Sequence, residues 1–365
     1  VHHTEKETWP CGNLYKQDMY KQYIKKKWIV LFSLAGILFF MVVLSVSMGS
    51  SRIPLPETIS AFFGGGAASS RVIIWNVRMP RIAAGIAVGT VLAMAGCVMQ
   101  NVLRNPLAAP ATLGVAQGAS FGAALAIVNF GAGIQINAGT AAAITITNPY
   151  MVTIFAFLGG IATTAVILAL SRIGKVTPSV MILAGVALSA MFTGATTLVQ
   201  YFADDVMLAS VVFWTFGSLG RAGWNESALI FCLGIAAFLY FFFNRWNYNA
   251  MESGTHTAKS LGINVDALIL VSMTVAALIS AVAVAFVGII NFIGLIAPHM
   301  VRKFVGNDHR FLIPCSALMG AVLMLGADLA SRMLRAPAVL PIGALTSFLG
   351  APLFLYMIVK KGKIK

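Results

Sequence analysis

The chain has 365 residues, 59% of them hydrophobic and only 10% charged, with a mean hydropathy of +0.88. A soluble domain carries about a quarter charged residues, so this composition excludes an ordinary soluble fold and points to a polytopic membrane protein. The net charge of +14 lies in short connections and at both termini, not in a basic stripe interleaved with aromatics. That pattern excludes nucleic acid as a partner and fits a chain oriented by lysines and arginines on its cytoplasmic side.

Residues 1–27 lack apolar periodicity and are expected to form a polar, cytoplasmic N-terminal tail ending in Lys25-Lys26-Lys27. The apolar run from Trp28 to Met48 exceeds the roughly 7–15 residues of a signal-peptide core. It is read as the first membrane span of a permease domain covering 28–365. Runs of spanning length then predict ten helices, at 29–48, 82–103, 112–130, 150–171, 179–202, 226–243, 266–288, 294–305, 310–333 and 343–359. The fold class is all-α, and an even number of spans leaves both termini in the cytoplasm, in agreement with Lys360, Lys361, Lys363 and Lys365.

Two outer segments, WNVRMPR (75–81) and DLASRMLR (328–335), place paired arginines at helix ends. They read either as headgroup anchors or as a docking surface for an acidic partner. Asp328 is the clear carboxylate within an apolar run, and Arg332 four residues on shares its helix face and can pair with it.

After the run 82–103, the stretch RNPLAAPATLGVAQGASFGAALA (104–126) is nearly uncharged and carries Pro106 and Pro110. It predicts a short cytoplasmic turn in which the prolines stop one helix and start the next. Behind it, Gly114, Gly118 and Gly122 form a small-residue face for close helix packing. The segment 179–202 carries Met181, Gly185, Ser189, Thr193, Thr196 and Gln200 at spacings of three to four. This mildly polar stripe is read as lining a passage, with a helix–helix seam as the alternative.

The largest cytoplasmic connection, Asn244 to Asp266, contains an amphipathic stretch around Gly262 and predicts a short surface helix. Within it GTHTAKS (254–260) faintly imitates a phosphate-binding loop, but the second glycine that forms the backbone nest is missing. The chain therefore carries no ATPase site of its own. Four cysteines without CxxC spacing read as buried free thiols, and five histidines make no paired ligand motif, so no metal site is expected.

Six segments, RNPLAAPATLGVAQGAS (104–120), ILAGVALSA (182–190), AKSLGI (258–263), FIGLIAPHMVRKFVGNDHR (292–310), GADLASRML (326–334) and LPIGALTSFLGAPLFLYMI (340–358), resemble the FecCD-type permeases of ABC importers for iron-siderophores, haem and cobalamin. The resemblance runs in order from about Trp75 to the C-terminus. It implies ten helices per subunit in a bacterial cell membrane and a second permease subunit, identical or paralogous. It also implies a cytoplasmic ABC ATPase dimer that binds ATP and Mg, and an extracytoplasmic substrate-binding protein. By the same resemblance Ala258, Ser260, Leu261 and Gly262 belong to the element that seats in the ATPase cleft. Asn105, Pro106 and Leu107 match one cytoplasmic gate segment, and Thr177 and Ser179 the second, where Pro178 departs from the family pattern. Arg78, Arg81 and Arg332 match arginines that meet carboxylates of the binding protein. The expected cargo is a ferric siderophore, with haem or cobalamin as alternatives. A secondary transporter built on broken helices is the reading from a different class, and Asp328 would be its ion-coupling group.

Overall fold

The computed structural model describes residues 11–49, 53–136, 143–146, 148–173, 178–336 and 338–362. Its helices, in chain order, are α1 (Cys11–Ser47), α2 (Leu55–Phe62), α3 (Ala68–Val72), α4 (Met79–Val102), α5 (Val115–Asn129), α6 (Pro149–Ile173), α7 (Pro178–Tyr201) and α8 (Asp205–Thr215). There follow α9 (Trp224–Phe243), α10 (Arg245–Glu252), α11 (Thr255–Ser260), α12 (Val265–Val287), α13 (Ile293–Val305), α14 (His309–Met333) and α15 (Ile342–Gly362). A π-helical stretch, Ile73–Arg78, joins α3 to α4 without a break. Between α5 and α6, strands β1 (Gly133–Ile136) and β2 (Ala143–Ile146) pair antiparallel, with Gly133 opposite Ile146.

Each of the ten expected spans is helical. Among the described residues, seven helices can cross a membrane by length and composition: those through α1, α3–α4, α6, α7, α9, α12 and α14. Two features differ from expectation. The helix that contains the first span starts at Cys11, so no structural break separates a tail from the domain at 27/28. Lys27 in particular is buried, because Asp308 stands within 3.2 Å of it. The other difference is α8, capped by Asp204, whose carboxylate accepts from the Met207 N–H. At 11 residues it is too short to register as a span.

α4 is the centre of the bundle, with 83% of its apolar window buried, against 17% for α1 and 11% for α7. Its small residues make this possible. A methyl group at Gly96 would overlap the carbonyl of Gly294 in α13, and one at Gly89 would overlap that of Gly320 in α14. Two helices therefore reach the α4 backbone directly, where dispersion contacts and not hydrophobic exclusion hold membrane helices together. Gly118 and Gly122 bring α5 equally close to Gly159 and Phe155 of α6, as their spacing predicts. Gly114 does something else: at φ +83° it turns the chain into α5 in a conformation side chains rarely adopt.

The bundle has two ends. One carries α10, α11, the C-terminus of α4 and the start of α14, joined by hydrogen bonds from Asn101 to Tyr248 and between Asn249 and Asp308. The other carries the C-terminus of α1, the start of α4 and the end of α14, joined through Arg78 and Arg332.

Candidate functional site

Helix gives way to irregular backbone at two places that bear on function. The first follows α4. Arg104 adopts φ +47°, the Asn105 side-chain oxygen Oδ1 accepts the Leu107 N–H at 2.8 Å, and Thr112 Oγ1 accepts the Ala109 N–H at 2.9 Å. Side chains thus take over backbone groups that Pro106 and Pro110 prevent a helix from using. Leu107 projects from the turn, 43% exposed. The second interruption lies between α12 and α13, where Gly288 and Phe292 have φ of +83° and +66°. Pro298 inside α13 removes the N–H that would meet the Gly294 carbonyl. Gln100 of α4 answers this loss, since its amide donates to the carbonyls of Gly294 at 3.5 Å and Leu295 at 3.2 Å. Non-helical backbone inside a membrane bundle is tolerated only when buried in protein or lining a cavity, and the second break, buried or half-buried from Val287 to Ile293, meets that condition.

Of the residues expected to form the gate, Asn105, Pro106 and Leu107 lie on the first turn. Ser179 is exposed at the start of α7, and Thr177 lies outside the described residues.

The stripe on α7 is a seam. Met181, Gly185 and Thr196 are buried, Gly185 against Thr112 and Leu113, and Ser189 lies beside Gly114. Phe192 meets Phe121 of α5 at 5.5 Å between ring centres. Gln200 is half-buried, and only Thr193 among the six is exposed. Periodicity showed which residues share a face but not what the face meets. The uncovered face is the other one, with Leu183, Val186, Ala187, Ala190, Gly194 and Thr197.

At the α10–α11 end, Ala258 is buried and fixes α11, whereas Ser260 and Leu261 face outward, Leu261 at 66% exposure. Gly262 closes α11 with φ +81° and has open space around it. Around this pair runs a polar network. Asp308 caps α14 and accepts hydrogen bonds from Arg310 and from the Asn249 amide, with Lys27 alongside. Burial pushes its carboxyl up, but the Arg310, Asn249 and Lys27 donors outweigh this and hold it well below the usual carboxylate range. Glu252, the last residue of α10, accepts from the Asn101 amide at 3.2 Å and from the Asn307 amide.

At the opposite end the three expected docking arginines turn inward. Arg78 donates to the carbonyls of Val46 and Ser47, and Arg332 to those of Ser45 and Met48. Asp328, fully buried, lies 2.6 Å from Arg81 and 2.9 Å from Arg332. Arg78 and Arg332 are only 4% and 5% exposed, so the docking reading is corrected: they cap the C-terminal carbonyls of α1 and are not presented to a partner. The pairing of Asp328 with Arg332 is as expected.

Sequence reading also missed a cavity of about 370 Å³ lined by Tyr150, Ser210, Phe213, Trp214, Arg221 and Glu226, among others. Arg221 donates to the carbonyls of Phe213 and Trp214, and burial lowers its pKa to about 10. Cys97 and Cys315 are buried free thiols as expected, but Cys232 is exposed. Among the described residues no group of histidine, cysteine or carboxylate side chains could hold a metal.

A bundle of this kind, with a buried break between α12 and α13 and a helix pair set against one end, fits a transport permease. Comparison with known proteins agrees. The model of the FecCD transport family matches residues 37–360. An ABC transporter permease protein of Methanocaldococcus jannaschii is 51% identical over 94% of this chain and 98% of its own length. The hemin transport system permease of Yersinia pestis is 37% identical over 79% of this chain and 84% of its own. A solved structure described as an inward-facing metal-chelate type ABC transporter is 31% identical with a TM-score of 0.78, covering 91% of this chain and 99% of its own. The chain belongs to the FecCD family of ABC importer permeases, whose members work with a permease partner, an ATPase and a substrate-binding protein.

Proposed function

We propose that the chain is the permease subunit of an importer for a ferric siderophore, handed over by a substrate-binding protein and driven by a separate ATPase dimer. The observation that carries this reading is the exposed pair α10–α11. It ends in Leu261 and an unobstructed Gly262, held rigidly to the membrane helices behind it and free on its outer side. Ser260, Leu261 and Gly262 would seat in the ATPase, with buried Ala258 as the anchor. The α10–α11 end lies in the cytoplasm of a cell whose membrane the chain spans several times, with both termini on that side. The turn Asn105-Pro106-Leu107 closes the inner mouth, together with Ser179 at the start of α7 and Thr177, two residues earlier in the sequence. A second permease subunit covers the open face of α7, and the passage runs between the two.

The similarity to a metal-chelate type transporter supports a chelate as cargo. The hemin-transporting relative favours haem as the second reading. No nucleotide site is proposed in this chain, because ATP and Mg belong to the partner. Uptake into proteoliposomes of the whole complex should follow ATP hydrolysis and persist when the proton gradient is collapsed. Uptake that follows the gradient would sink the reading. Growth of a deletion strain on a single ferric siderophore, against haem as sole iron source, separates the two cargoes.

A further inference from the structure

Glu252 stands where α10 has no use for it. A carboxylate in the last turn of a helix opposes the helix dipole, and a lysine or arginine would be favoured there. Its two oxygens are instead taken by neighbours outside α10. One accepts the amide of Asn101, the other the amide of Asn307 in the connection between α13 and α14. Asn101 is buried, and its amide donates a second hydrogen bond, at 3.1 Å, to the Tyr248 carbonyl of α10. The same buried amide thus bonds both the backbone and the terminal carboxylate of α10, the second bond being charge-assisted.

Asn101 also forms the root of the turn at the inner mouth. Its backbone carbonyl accepts the Arg104 N–H at 2.9 Å, and the carbonyl of Gln100 accepts the Asn105 N–H at 3.1 Å. These two bonds set where α4 ends and force Arg104 to φ +47°. A shift of Asn101 therefore changes the bonds that place Asn105, Pro106 and Leu107. The turn is far from α10 in sequence, 151 residues separating Asn101 from Glu252.

We infer that Glu252 is a positioning residue, which passes movement of the α10–α11 pair to the turn 103–110 through Asn101. This rests on the reading that α10–α11 meets an ATPase and that the turn is a gate. Coupling of this kind needs a measured interaction between the two residues, not only their proximity.

The test uses the whole reconstituted complex with its ATPase and binding protein. Uptake per ATP hydrolysed is measured for wild type, Glu252→Ala, Glu252→Gln, Asn101→Ala and the Glu252→Ala/Asn101→Ala pair. Expected is a fall of about tenfold in uptake per ATP for each alanine variant, with assembly intact and a melting temperature lowered by only a few degrees. The double variant should be no worse than the more severe single one. Glu252→Gln, which keeps one acceptor oxygen, should recover part of the ratio. In a Cys232→Ser background, Leu107→Cys should react with a water-soluble thiol reagent at a rate that changes on ATP binding, and Glu252→Ala should abolish that change. The inference is overturned by wild-type coupling in Glu252→Ala, by losses that multiply in the double variant, or by losses that track disassembly. If wild type itself shows no ATP-driven uptake, the transporter reading fails and takes this inference with it. Intact wild-type uptake with an intact Glu252→Ala ratio overturns the inference alone.

Discussion

At one end of the bundle Asp328 stands between Arg81 and Arg332, while at the other Asp308 stands between Lys27 and Arg310. Both carboxylates bind two cations each, yet the surroundings differ. Asp328 is fully buried, and Arg332 beside it and Arg78 nearby reach on to the last carbonyls of α1. Those carbonyls have no partner within their own helix, and cations at a helix C-terminus also meet its dipole favourably. That cluster fixes one helix end inside the bundle. Asp308 and Glu252 are partly open to solvent and tie a surface helix pair to α1, α4 and α14. Charge at the first end locks, and charge at the second connects.

Removing each carboxylate in turn should break this contrast. The largest effect is expected for Asp328→Ala, which leaves Arg81 and Arg332 without their carboxylate. Breaking a buried ion pair from one side costs about 3–5 kcal/mol, a large part of the stability of most domains. The amount of folded protein recovered from the membrane should drop sharply. Asp328→Asn, still able to accept a hydrogen bond, should fall between the variant and wild type. Thermal unfolding in detergent measures both, and a stable Asp328→Ala protein would mean that the arginines are satisfied by α1 alone.

The two ends were not equally readable in the sequence. Span length is set by the bilayer, so the runs that form the seven helices of spanning length stood out, and the glycine spacing at Gly118 and Gly122 correctly predicted a close helix contact. The 11-residue α8 fell below that length, although Asp204 ahead of an apolar run was a usable cap signal. The arginines were visible at helix ends, but what lies against them was not, because Met48 is 284 residues from Arg332. The stripe on α7 failed for the same reason: a helical period identifies a face, and only tertiary structure says what covers it. Glu252 looked like one acid in a polar connection, since its partners come from elsewhere in the chain.

A smaller effect is expected from Asp308→Asn. The substitution weakens the hold on Lys27 and Arg310, but Arg310 is partly exposed and water can replace its partner. A hydrogen bond to a charged group is worth about 1.5–3 kcal/mol, and the loss should lie at or below that range. The pH dependence has a definite sign. The Asp308 carboxyl is held well below its ordinary value of 3.8, so its contribution is complete above that pH and is lost only as the pH falls further. Stability of the wild type should therefore be insensitive to this group between pH 7 and about 5. Acid unfolding curves should show Asp308→Asn losing part of the steep dependence below pH 4. A difference between the two proteins that instead opens between pH 5 and 7 would show that the carboxyl is not held down.

The smallest effect should come from the third ion pair at the α10–α11 end, which belongs to neither network. Lys259 lies 3.7 Å from Asp266, with the two side chains 58% and 86% exposed. Exposed pairs contribute about 0.2–1 kcal/mol because water and salt screen them. Asp266 also sits in the first turn of α12, where a negative charge meets the favourable end of the helix dipole. Both terms are small and weaken with salt, so Asp266→Asn should barely change the melting temperature of the isolated permease. The same substitution distinguishes the free subunit from the assembled complex. If an ATPase covers the face that carries Lys259, Leu261 and Gly262, screening by water falls and the pair should matter more. Melting should then separate Asp266→Asn from wild type in the complex, more at low salt than at high. Identical curves with and without the ATPase would place Lys259 and Asp266 outside the covered face, and so would confine the contact to Leu261 and Gly262.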